Sequence, residues 1–211
     1  MNKNKRLIIL KKFEQYYLNP TIKLKYKTYF ELLISIILSA KSSDAQVNKV
    51  TKKLFLYVHK PSDILDLGYD QLKVIIQSVG LFNKKALAII KTCRILKNIY
   101  NEDIPMNKDK LLLLPGVGRK TANLFLNIVL KKNFIAVDTH VFRVSNRTNF
   151  VNGISSYHVE NKLYQCVPIK FQSRLHSWFG SHGRYFCRSL SPKCSICIIK
   201  IWCEYPYKII K

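Results

Sequence analysis

The stretch Leu111–Leu130, LLLLPGVGRKTANLFLNIVL, joins two apolar helical runs through Pro115-Gly116-Val117-Gly118. Pro115 stops the first run, and two glycines separated by one residue permit backbone conformations that a side chain forbids, so main-chain amides can approach another molecule closely. A second helix opens at Arg119-Lys120-Thr121. Amides in a first turn lack intrahelical partners and the helix dipole is positive there, which makes this helical hairpin a site for a phosphate. A Pro-Gly pair between helices is more often a plain turn with no ligand. Lys120 weighs against that here. A cation in the first turn is opposed by the dipole, at a cost of a few tenths to about 1 kcal/mol when exposed, and the same field eases loss of its proton. A lysine made partly neutral is a nucleophile.

Downstream, Asp138 stands in Ala136-Val137-Asp138-Thr139-His140-Val141, at the start of the next amphipathic segment. By its pattern alone it reads as an N-cap. Toward the C-terminus, Cys187, Cys194, Cys197 and Cys203 supply four thiolates, a full set for a cubane iron-sulfur cluster or for tetrahedral zinc. Cys93 and Cys166 fall within apolar helical faces and read as inert core residues. Between the first two clustered cysteines, the loop Arg188–Lys193 carries a cation at each end.

Composition narrows the setting. With 211 residues, 48% of them hydrophobic, the chain can bury a substantial core in one large or two small domains. Its formal net charge of +24 favours a polyanion through phosphate neutralisation and counterion release, so nucleic acid is the default partner. Part of that charge accompanies a richness in Asn, Ile and Tyr expected of an AT-biased coding sequence. The apolar run Leu7–Leu10 is too short for a signal segment or a membrane span. A cytoplasmic, nucleoid-associated protein is expected, with reduced cysteines and hence a metal centre rather than disulfides.

Apolar spacing throughout is helical, and no convincing alternation of period two occurs, so the fold class is all-α. The pattern predicts a basic helix over 3–18 ending before Asn19-Pro20, and a buried helix from Tyr29 to Ala40. Asp44 is expected to cap a helix running to about His59, with Pro61 ending it. A short helix is expected after Ser62, and another, capped by Asp70, reaching Gly80. Asn83 should open a longer run with Ala86, Leu87, Ile90 and Leu96 inward. After the hairpin, helices are expected near 139–149, 156–167 and 171–182.

LPGVGRKTAN, then VDTHVFRVSNR, HGRYFC and the four-cysteine spacing together resemble the endonuclease III family of helix-hairpin-helix DNA glycosylases and AP lyases, over nearly the whole chain. The resemblance implies a two-lobed fold: a six-helix domain over 22–132, and an iron-sulfur cluster domain assembled from 1–21 and 133–211, with the active site in the cleft between them. It implies Lys120 as nucleophile on the sugar, Asp138 as the carboxylate that positions or deprotonates it and stabilises positive charge on the sugar, and the four cysteines as [4Fe-4S] ligands. His140 follows the cap so closely that it reads as structural. DNA contacts would come from Gly116, Val117, Gly118 and Arg119 of the hairpin, from Arg188 and Lys193, and from Leu81 as a wedge in the duplex. Lys41 stands in the loop that fills the gap left by a flipped nucleotide, where relatives usually carry glutamine. The implied activity is excision of oxidised pyrimidines from duplex DNA and nicking of the abasic site, by a monomer with no membrane partner. The alternatives are a monofunctional mismatch glycosylase, against which Lys120 argues, and a non-catalytic DNA-binding module, against which Asp138 and the cysteines argue.

Overall fold

The computed structural model describes residues 1–18 and 23–208. The described residues form ten α-helices with no strand, in agreement with the all-α expectation. The chain divides into two compact units, one from Lys23–Lys131 and the other from Met1–Ile22 together with Lys132–Lys211. The expected stop at Asn19-Pro20 lies outside the described residues. No described helix is long and apolar enough to cross a membrane.

The contiguous unit is centred on α2 (Tyr29–Ser39), in which every residue from Phe30 to Leu38 is buried. A helix apolar on all sides must be enclosed by others, and α3 (Asp44–Leu54), α5 (Phe82–Tyr100) and α7 (Arg119–Leu130) pack against it. Ser43, not Asp44, is the N-cap of α3, its hydroxyl accepting from the Gln46 amide, and α3 ends at Leu54 rather than near His59. Val58 is nonetheless buried, just past the turn that follows the helix, so the inward pattern outlasts the helix.

Pro61 begins α4 (Pro61–Ile76) instead of ending its predecessor, because the missing N–H costs nothing at the first helical position. The two short helices expected around Ser62 and Asp70 are two halves of α4 broken at Gly68, whose φ of 77° is left-handed. Along α5 the buried face is Lys85, Ala86, Ile89, Thr92, Cys93 and Leu96. Leu87 is 48% exposed, contrary to expectation, and Ile90 is only half-buried. The short α6 (Lys108–Leu112) leads into the hairpin and α7.

The second unit holds α1 (Lys3–Tyr16), α8 (Thr139–Arg147), α9 (Ser156–Cys166) and α10 (Ile169–Tyr185). Phe13, Phe150, Phe171, Trp178 and Phe179 are fully buried at its centre. Phe179 meets Phe13 and Phe150 edge-on, at ring separations of 5.3 and 5.2 Å, the geometry the ring quadrupole prefers. Each such side chain contributes about 1.5–3 kcal/mol through burial. α10 starts directly after Pro168 and runs to Tyr185, longer at both ends than expected.

Candidate functional site

In the contiguous unit, α6 ends before Pro115, and Gly116 takes the left-handed turn at φ 81°. A Cβ there would lie 3.0 Å from the Ala88 methyl, whereas one on Gly118 would meet nothing within 4 Å. Thr92 fastens the turn from beneath, donating to the Pro115 carbonyl at 2.7 Å. The Val117 side chain is 4% exposed and its amide donates to Leu114 at 3.0 Å, so Val117 anchors the turn while Gly116 and Gly118 stand at the surface. Gly118 is the N-cap of α7, and Arg119 projects exposed from its first turn. Lys120 follows, half-buried, with Nζ donating to Ser39 Oγ at 3.4 Å. Ser39 in turn donates to the Ile36 carbonyl at 2.7 Å. A primary amine is thus held on a hydroxyl at the positive end of a helix.

The same unit joins the Lys41 turn to the Leu81 tip. Lys41 is exposed with φ 53°, between α2 and α3. Its carbonyl would lie 2.6 Å from a Cβ on Gly80, and the Gly80 amide donates to Ser42 Oγ at 3.0 Å. Leu81 caps α5 with φ 61° and is 48% exposed. A left-handed leucine costs of order 1–3 kcal/mol, and exposure forfeits its burial as well. Such an exposed apolar tip, held by its neighbours, is suited to insertion into an apolar stack.

In the second unit, Asp138 is the N-cap of α8, its Oδ1 accepting from the amides of His140 at 2.9 Å and Val141 at 2.8 Å. The His140 ring lies 3.1 Å from an Arg143 amino group through Nδ1, and burial lowers its pKa; this fits a structural histidine. None of the six cysteines is paired in a disulfide. Cys93 is fully buried, its thiol pushed up to about 12 by desolvation, and Cys166 is half-buried at the end of α9.

Cys187, Cys194, Cys197 and Cys203 line one pocket. Among the described residues, no three His, Cys, Asp or Glu side chains converge tightly enough to hold a single metal ion. Burial raises the thiols of Cys187, Cys197 and Cys203, Cys197 to about 11, so their thiolates need positive charge and N–H donors. Both are built in. Arg147 lies 3.8 Å from Cys187 Sγ, and His182 Nε2 lies 3.6 Å from Cys197 Sγ. The donor set suits a cationic group bound through sulfur.

Residues 34–168 match the profile of the HhH-GPD superfamily base excision DNA repair proteins. The chain is 50% identical to endonuclease III of Haemophilus influenzae over 209 residues, covering 99% of each. It is 46% identical to that of Escherichia coli K12, again over 99% of each. The chain belongs to the endonuclease III family. A solved structure of a trapped endonuclease III–DNA covalent intermediate, an estranged-adenine complex, superposes with a TM-score of 0.93 at 37% identity over 97% of each chain. A thermostable thymine-DNA glycosylase, at 22% identity and a TM-score of 0.84, shares the fold.

Within this endonuclease III fold, several supporting residues are not apparent from sequence. Arg143 and Arg147, one turn apart on α8, hold the segment around the first clustered cysteine. Arg143 donates to the carbonyls of Cys187 at 3.0 Å and Gly183 at 2.8 Å. Arg147 donates to the carbonyls of Arg188 and Ser189, leaving the Arg188 and Lys193 side chains exposed. Two arginines spaced i, i+4 are the available signal, although on a basic chain they read as a solvated face. Ser39 and Lys85 give no such signal.

Proposed function

We propose that the chain is a base-excision-repair DNA glycosylase with AP-lyase activity, a cytoplasmic monomer acting on oxidised pyrimidines in duplex DNA. The observation that carries the lyase reading is the Lys120 amine, half-buried at the N-terminus of α7 and held on Ser39. A hydroxyl or a water cannot form an imine with a sugar; a primary amine can.

In the proposed reaction the damaged nucleotide is turned out of the stack, and phosphates are held at the hairpin by Gly116, Gly118 and Arg119. Lys120 Nζ, having lost a proton, bonds to C1′. The C1′–N bond breaks with its electron pair leaving on the base, which takes up a proton. The C1′–O4′ bond then breaks, O4′ taking up a proton, to leave a protonated imine; a C2′ proton is removed, the C3′–O bond breaks, and the 3′ phosphate departs with its electron pair, nicking the strand. Asp138 supplies the carboxylate that accepts the lysine proton and stabilises positive charge on the sugar. Leu81 wedges the duplex, Lys41 reaches a phosphate rather than the orphaned base, and Arg188 and Lys193 add phosphate contacts.

Cys187, Cys194, Cys197 and Cys203 would hold a [4Fe-4S] cluster, which when bound cross-links the segment through four thiolate–iron bonds. Family membership and the four thiols around one cavity support this reading.

Borohydride with abasic-site DNA tests the lyase. Trapping of a covalent complex is expected in the unmodified chain and its loss in Lys120→Gln, with DNA binding largely retained. Undiminished trapping in that variant would refute the assignment.

A further inference from the structure

Lys85, on the inner face of α5, is 5% exposed. A lysine is buried to that degree only when its ammonium is fully partnered. Here the partners are complete. Nζ donates to the carbonyls of Leu38 at 2.7 Å and Ala40 at 2.6 Å, and to Ser42 Oγ at 3.1 Å. Three donors meet three acceptors, two of them carbonyls at the negative end of α2, where a cation is favoured. Between those two carbonyls in the chain lies Ser39, the residue on which Lys120 Nζ rests. Desolvation, and after it the Lys120 charge, lowers the Lys85 pKa to about 8.

Other charges stand on the surrounding elements. Lys41 in the turn, Lys84 on α5 and Arg119 on α7 are exposed, while Asp44 on α3 and Lys73 on α4 are half-exposed. Glu31 is buried at the opposite end of α2, accepting from the Lys27 amide. Lys120 is the charge that acts on Lys85.

We propose that Lys85 is a positioning residue for the Lys120 amine: fixed by three acceptors beneath Ser39, its ammonium places a second positive charge beside Lys120 and so keeps more of that amine neutral and nucleophilic. The inference rests on the reading of Lys120 as the nucleophile. A simple helix cap would need the carbonyl contacts alone; the apposition of two lysines on one short segment is what the cap does not explain. The sign is fixed by electrostatics. Each ammonium disfavours protonation of the other, so removing the Lys85 charge makes Lys120 harder to deprotonate, and only where Lys85 is itself protonated.

The test is the pH profile of borohydride trapping on abasic DNA, measured for the unmodified chain, Lys85→Met and Ser42→Ala. Lys85→Met is expected to move the acidic limb up by at least about half a pH unit, roughly a 3-fold slower reaction at pH 6, with the curves converging above about pH 8. Ser42→Ala removes an acceptor shared by the Lys85 ammonium and the Gly80 amide but no charge, so its limb should stay in place whatever its effect on DNA affinity. An unmoved limb in a Lys85→Met protein that melts cooperatively and binds DNA would overturn the proposal.

Should Lys85→Met not fold, NMR of 13Cε-labelled lysines in the unmodified chain and in Lys120→Gln decides the matter. The Lys85 resonance should titrate well below the other lysines and move upward when the Lys120 charge is removed; an unchanged midpoint would overturn the proposal. Trapping that persists in Lys120→Gln would instead refute the nucleophile assignment, while the NMR coupling would still stand.

Discussion

Gly116→Ala and Gly118→Ala make chemically identical changes two residues apart and should have opposite consequences. At Gly116 an alanine must hold φ 81° and bring its methyl 3.0 Å from that of Ala88. The left-handed conformation costs roughly 1–2 kcal/mol for a residue with a Cβ, and overpacking adds about 1–3 kcal/mol. The variant should therefore lose about 2–5 kcal/mol, or about 4–20 °C in Tm for a chain of this size. At Gly118 the backbone has an ordinary φ of −87° and the new methyl meets nothing within 4 Å, so stability should change by less than about 0.5 kcal/mol. The methyl would instead occupy space through which a phosphate approaches the first amides of α7. Displacing a charge-assisted hydrogen bond of about 1.5–3 kcal/mol weakens DNA binding by roughly 10-fold or more. Thermal melts and fluorescence anisotropy with abasic-analogue duplex separate the two effects. A Gly118→Ala protein that melts early but binds normally would refute the assignment of one glycine to the turn and the other to the ligand.

Three further outcomes are expected. Lys41→Gln should lower the slope of log affinity against log salt by about 0.9, one phosphate contact; an unchanged slope with poorer lesion selectivity would place Lys41 inside the gap instead. Purified protein should carry about four iron atoms per chain and absorb as a thiolate-bound cluster, and stoichiometric zinc without iron would exclude that group. The Ser62 hydroxyl beside it, the Ser62 amide that donates to it at 2.9 Å, and Lys60 at 3.7 Å together hold the Glu102 carboxyl below the usual range. Its stabilising effect is present above the unfolded carboxyl value and fades as pH falls through the lowered one. Glu102→Gln should thus lower the urea midpoint at pH 7 and converge with the unmodified chain in strong acid, and a difference that widens in acid would contradict that sign.

The hairpin, the Asp138 cap and the clustered cysteines are legible in the sequence because each rests on local chemistry: a glycine pair, a carboxylate before a helix, thiols at short spacing. Where sequence and structure part, the deciding term is tertiary. Leu87 reads as inward and Lys85 draws no notice, because hydrophobicity ranks leucine above lysine and cannot register three carbonyl and hydroxyl acceptors waiting beneath α5. Ser43 yields the cap to Asp44 on similar grounds in the sequence, since both residue types cap well and only backbone geometry chooses between them. Pro61 reads as a stop because proline ends and begins helices with equal readiness. Leu81 is singled out by resemblance; its left-handed backbone becomes visible only with the Gly80 amide fastened to Ser42.

The second unit is assembled from the two ends of the chain, and synthesis therefore imposes an order on folding. Residues Lys23–Lys131 can complete their core while the ribosome is still working. α1, made long before α10, must wait for it before Phe13 finds Phe179. The clustered cysteines emerge later still, after α10. Any metal centre they hold is thus loaded only after α10 has been made, and a transcript truncated before Cys187 would release a folded hairpin unit with an unfinished companion, a natural substrate for proteolytic clearance.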